Sequence, residues 1–181
     1  SEDRETWRAI LQAHEQTRDD QVCELFLKGI ATLGLRSDRL PVLEEMNRIL
    51  RPLTGFSGVF VDGLEEGARF YRLLANRQFP VGNFIRDRRD LSYTPAPDIV
   101  HDVYGHLPFY VDKTYADFSQ ELAVAAVRHL DRPKALRQFE RFFWFTIEFG
   151  LVQTRRGRRV FGAGIASSIA ECEFALSDKV E

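Results

Sequence analysis

The chain has 181 residues, 44% of them hydrophobic and 29% charged, with a formal net charge of −2. That is the length of one ordinary domain with a globular composition, and it leaves no electrostatic footprint for nucleic acid or an anionic membrane. No stretch approaches the apolar length of a membrane span, and the two cysteines, Cys23 and Cys172, form no CxxC pair, so no disulfide framework is expected. A cytoplasmic monomer or weak dimer acting on small molecules is expected. Phenylalanine is unusually abundant at 15, which points to an aromatic-lined interior.

Residues 4–17 carry Trp7, Ile10, Leu11 and His14 at helical spacing, predicting an amphipathic helix with His14 as a surface or capping residue. A second helix is predicted from Asp19 to Leu33, with Val22, Cys23, Phe26, Leu27 and Ile30 on its apolar face and Gly34 at its end. A third runs from Leu40 to Leu50, its start marked by Pro41. Phe56 to Val61 reads as a short strand, Asp62-Gly63 turns the chain, and residues 64–76 return to helix. Phe79-Pro80-Val81-Gly82 is expected to be irregular, followed by an extended Phe84-Ile85-Arg86 piece and a solvated charged loop at 87–90.

A helix over 114–130 should turn Tyr115, Phe118, Leu122 and Ala125 to one face and end near His129, a helix-dipole partner. Pro133 opens the next helix, apolar nearly all round from Phe139 to Leu151 and therefore expected to be central. Thr154 to Arg159 reads as a basic hairpin turn about Gly157, and a last helix follows Gly162-Ala163-Gly164. The sum is a single, mainly α domain over residues 1–181, made of packed helices with a few short strands.

The chemistry gathers at Tyr93 to His106 (YTPAPDIVHDVYGH), which places His101 and His106 five residues apart. Thr94 before Pro95 is a good N-cap followed by a proline at the first helical position, so a helix is predicted to begin there. Five residues span about 140° of an α-helix, so the two imidazoles converge on one metal only if the helix loosens near Gly105. The spacing differs from the HExxH pattern of zinc proteases. Glu148 supplies a third ligand, because its carboxylate sits in the apolar run FFWFTIEFG and is costly to bury unless paired or metal-bound. Two imidazoles and one carboxylate are the facial set of non-haem Fe(II) oxygenases. Asp98, one turn before His101, either orients that imidazole or caps the helix.

YTPAPDIVHDVYGHLPF, WFTIEFGL and FGAGIASSIAE closely resemble the catalytic core of the pterin-dependent aromatic amino acid hydroxylases, with LTGF near Thr54 and LANRQFPV near Asn76 extending the likeness over nearly the whole chain. The resemblance implies an aromatic amino acid hydroxylase-like fold in which His101, His106 and Glu148 hold Fe(II). It also implies that a tetrahydropterin (tetrahydrobiopterin or a related one) and O2 are consumed to hydroxylate the ring of an aromatic amino acid, phenylalanine by default. By the same likeness Arg86 clamps the substrate carboxylate with help from Thr94, and Trp144 packs on the substrate ring. Ser167 and Ser168 line the same pocket. The pterin rests against Phe70 beside Leu64 and Asp102, with Phe143 near the cofactor pocket where the family usually has a tyrosine. The likeness ends at Glu181, before the segment that in the family closes over the substrate side, and the resemblance gives the expectation of a core without a preceding regulatory domain.

Bland roles compete with each assignment: Arg86 as one more loop charge, Trp144 and Phe70 as plain core aromatics. Two other functions are compatible with the same residues. One is a hydrolase in which the triad holds Zn2+ and a water, and the other is a helical binding module that kept the fold without the chemistry.

Overall fold

In the computed structural model, described over residues 1–63, 66–89, 91 and 96–179, the chain is mainly helical. Helix α1 (Glu2–Gln21) places Glu2, Asp3 and Glu5 at its positive end and buries Trp7, Ile10, Leu11 and His14 along one stripe. It runs through the expected break near Thr17. The interruption falls instead at Val22–Cys23, where Val22 bridges Val160 and the Cys23 N–H donates to the Val160 carbonyl at 2.9 Å. That pairing joins residues far apart in sequence, so helical periodicity carried no sign of it. Helix α2 (Glu24–Leu33) follows, and α3 (Leu43–Thr54) starts two residues after Pro41.

Strand β1 (Ser57–Val61), helix α4 (Gly67–Ala75) and strand β2 (Gln78–Gly82) form a right-sized crossover, with β1 and β2 parallel from Ser57↔Gln78 to Val61↔Gly82. The segment expected to be irregular is therefore a strand. Pro80 is tolerated because β2 is an edge of a two-stranded sheet, where a missing N–H costs no ladder bond. On the other side of β1, the buried Asn47 side chain accepts from Gly58 N–H at 2.7 Å and donates to Gly58 C=O at 2.9 Å, standing in for a third strand.

A π-helix (Val100–His106) begins later than expected, and Asp98 accepts from its first turn: Asp98 Oδ1 takes the His101 N–H at 3.0 Å. A 3-10 turn (Leu107–Val111) packs against α2 so closely that a Cβ at Gly29 would sit 2.0 Å from the Pro108 carbonyl oxygen. Helix α5 (Lys113–Val127) is capped by Asp112 and buries Tyr115, Ala116, Ser119, Ala123 and Ala126, leaving Phe118 exposed, contrary to the expected face. Helix α6 (Pro133–Phe143) passes into a π turn (Trp144–Glu148). This segment is not central. Phe142, Trp144 and Phe145 are exposed, and only Phe143 and Ile147 are buried, because one face alone meets the rest of the described fold. The antiparallel hairpin β3 (Leu151–Thr154) and β4 (Gly157–Val160) leads to two short helices, α7 (Ala163–Ala166) and α8 (Ile169–Ala175).

The abundant phenylalanines build the core. Phe26 contacts Tyr104 and Phe109 at 5.4 Å each, Phe79 contacts Tyr110 at 5.5 Å, and the same Phe79 ring lies 4.6 Å from His106. Both cysteines are buried free thiols. Among the described residues no helix is long and apolar enough to cross a membrane.

His14 is buried, with its ring 4.8 Å from Tyr104, so its expected surface or capping position is corrected. Burial lowers its pKa from 6.5 to about 4. Between those values the unfolded chain binds more protons at this site than the folded one. Stability from His14 is thus fully present above pH 6.5 and is lost as pH falls toward 4, by about 3 kcal/mol in all. Urea unfolding of the parent and His14→Gln between these pH values should show a steeper acid loss in the parent. Parallel curves would exclude the effect.

Candidate metal centre

A π-helix closes i→i+5 rings, so residues five apart share one face, whereas an α-helix would separate them. This register brings His101 Nε2 to 3.2 Å from His106 Nε2. The second π turn does the same service for Glu148 from the other side. Its Oε1 lies 2.9 Å from His106 Nε2 and its Oε2 3.7 Å from His101 Nε2. One donor atom from each of the three residues falls within 4.8 Å of the others, so all three converge on one point.

The glycines after β4 permit that approach. A Cβ at Gly164 would lie 2.9 Å from Glu148 Oε2, and one at Gly162 would lie 2.2 Å from the Glu148 carbonyl oxygen.

Electrostatics favour a cation here. Burial, then the neighbouring His106, lowers the His101 pKa to about 4, so this imidazole is neutral near pH 7. Burial by itself would lower His106 and raise Glu148; their mutual contact overrides it, so the His106 pKa is raised and that of Glu148 is lowered. Two imidazole nitrogens and a carboxylate crowded together suit a divalent metal. Ser167 fixes which His101 nitrogen is free. Its hydroxyl donates to the Gly164 carbonyl at 3.1 Å, so at 3.3 Å it accepts from His101 Nδ1–H, leaving Nε2 as the donor to a metal.

Asp98 takes the capping role and leaves the imidazole to Ser167. Its carboxylate, fully buried, accepts from the His101 N–H, from the Arg86 backbone N–H at 2.9 Å, and from Arg86 Nε and Nη2 at 2.9 Å each.

A cavity of about 540 Å³ opens over the triad, walled by Phe70, Phe143 and Trp144. Phe143 packs edge-on against Phe70 at 5.2 Å and lies 6.3 Å from His106. Trp144 is 54% exposed, with its ring 4.6 Å from Phe149. Asp102 also faces this cavity; it accepts from the Gly82 N–H at 2.7 Å, and burial raises its pKa to about 7. Arg86, Ser167 and Ser168 do not join these walls. They line a second cavity of about 290 Å³ with His14, behind His101, and Ser168 caps α8 through the Glu171 N–H. Thr94 and Leu64 lie outside the described residues. Sequence reasoning missed the close approach of Gly164 to Glu148, for which the GAG triplet is the available signal.

A family profile described as biopterin-dependent aromatic amino acid hydroxylase matches residues 1–181. The chain belongs to that family. Among its relatives, the phenylalanine-4-hydroxylase of Pseudomonas aeruginosa is 35% identical over 175 residues, covering 97% of this chain and 66% of that protein. The phenylalanine-4-hydroxylase of Caulobacter vibrioides is 38% identical over 174 residues, covering 96% and 59%. The fold superposes on the crystal structure of Chromobacterium violaceum phenylalanine hydroxylase with bound iron(III) and oxidised cofactor 7,8-dihydrobiopterin, with a TM-score of 0.94 and 35% identity over 98% of this chain and 65% of that one. The chain thus spans less than two thirds of the length of each of these three relatives. The likeness in sequence is matched by the mainly α hydroxylase fold expected from it.

Proposed function

We propose that this chain is the catalytic core of an iron(II)- and tetrahydropterin-dependent monooxygenase that hydroxylates the ring of an aromatic amino acid, with phenylalanine converted to tyrosine. The observation that carries the reading is the convergence of His101, His106 and Glu148 on one point at the base of an aromatic-walled cavity. His101 Nε2, His106 Nε2 and one Glu148 oxygen would hold the iron. Iron and reduced pterin, when bound, supply the splitting of O2 that puts one oxygen atom on the substrate ring and the other on the pterin.

The remaining work is positional. Phe70 and Phe143 offer apolar faces to the pterin, with Leu64 beside it. Asp102 presents a buried carboxyl group to the pterin's polar edge. Trp144 offers its indole to the substrate ring. The substrate carboxylate is assigned to Arg86, which lines the second cavity with Ser168, and to Thr94. Ser167 keeps His101 Nε2 free of a proton. The apolar walls keep water from competing for the oxidant.

Oxygen uptake by the iron-loaded protein with phenylalanine and tetrahydrobiopterin tests the reading. Tyrosine should form with pterin and O2 consumed in equal amounts. An iron-loaded protein that takes up no O2 in a pterin-dependent way, and makes no hydroxylated amino acid, would overturn it.

A further inference from the structure

The cavity over the triad carries one carboxylate that neither the metal centre nor the pairing of Asp102 with Gly82 uses. Glu140 lines its outer wall and is exposed. Its Oε1 occupies the space over residue 67, where a Cβ would come within 2.8 Å of it, so the glycine leaves the carboxylate room. Gly67 and Phe70 are three residues apart on α4, and Glu140 and Phe143 are three apart on α6. The Phe70 and Phe143 rings touch at 5.2 Å, next to His106. The Gly67–Glu140 pair therefore stands roughly 5 Å, about one helical turn, farther along the two helices from the metal-facing aromatic pair. Among the described residues the Glu140 carboxylate makes no hydrogen bond or ion pair, and after burial it is the second influence that raises the Tyr71 pKa.

A flat heterocycle laid against Phe70 and Phe143 with its substituent directed toward the Gly67 end of the two helices would bring that substituent to this carboxylate. Hydroxyl groups on the substituent donate to it, and an anionic substituent is repelled by it. We propose that Glu140 is a specificity-determining residue at the cofactor end of the cavity, selecting pterins with a neutral hydroxylated side chain and rejecting those with an anionic one. The proposal rests on the pterin reading given above.

Two probes of the same skeleton separate charge from shape: 7,8-dihydroneopterin and its 3′-monophosphate. Their binding to the anaerobic iron-loaded protein is measured by titration calorimetry for the parent, Glu140→Gln and Glu140→Lys. The parent should favour the uncharged probe by about tenfold at low salt, and by less as salt screens the carboxylate. Glu140→Gln should bring the two affinities to within about twofold, and Glu140→Lys should invert the preference. A parent-to-variant ratio that stays constant overturns the role of Glu140 while leaving pterin binding in place. If neither probe binds the parent, the pterin reading and this proposal both fall.

Discussion

Glu148→Gln is expected to weaken iron(II) binding roughly 100-fold or more while leaving the fold intact. Metal sites built from a few side chains carry on the order of 10 kcal/mol of binding free energy, so each of three donors accounts for roughly 3 kcal/mol. The change keeps the shape of the side chain and removes the only anion among the three proposed donors. It also removes the partner that raises the His106 pKa, so the imidazole loses its charged contact as well. Chelator competition for Fe(II), or the absorbance of a Co(II) derivative, reads the affinity, and far-UV circular dichroism checks the helices. His106→Ala should be as damaging to metal binding but also to stability, since the His106 ring is 1% exposed and packs on Phe79. A Glu148→Gln protein with the parent's affinity would remove Glu148 from the ligand set.

The triad was legible because burial makes a lone carboxylate in FFWFTIEFG expensive, and a histidine pair nearby offers it a reason. What periodicity could not supply was the geometry. An α-helix sets His101 and His106 apart; the π register that unites them depends on tertiary packing, including a Gly105 whose missing side chain leaves room for the Ala163 carbonyl, where a Cβ would come within 2.8 Å. Long-range pairing hid other features for the same reason. The break at Val22 answers to Val160, and β2 forms despite Pro80 because its neighbour β1 is already held by Asn47. His14 looked like a surface residue because its stripe is shared with charges, yet it meets Tyr104 from a distant helix. The exposed ring of Phe142, Trp144 and Phe145 shows the opposite failure, in which apolar composition alone suggested burial.

The Arg86–Asp98 pair should prove the most sensitive ion pair in the fold. Both side chains are buried, 8% and 0% exposed, and join through two parallel hydrogen bonds of 2.9 Å. Burial alone would raise the Asp98 pKa; the Arg86 bonds and the His101 N–H reverse it, so the carboxylate is held below its usual range and stays ionised. Removing one partner strands the other charge, which costs about 3–5 kcal/mol. Asp98→Asn should therefore lower the unfolding free energy by about that much. It should also loosen the start of the His101 helix, because the same carboxylate caps it. Arg86→Leu should be equally destabilising. The double change to Leu at both positions should recover part of the loss, since no charge is left unpaired, but not the cap. A guanidinium has five N–H donors; Asp98 and the Leu91 carbonyl use one each on Nε, Nη2 and Nη1, which leaves one on each Nη for a substrate carboxylate. A charge-keeping Arg86→Lys variant separates the two duties, because it retains a cation for Asp98 and loses the fork. It should raise the amino acid KM with little change in the pterin KM. Urea unfolding decides the structural half: single variants within about 1 kcal/mol of the parent would mean the pair is replaceable by water, against its observed burial.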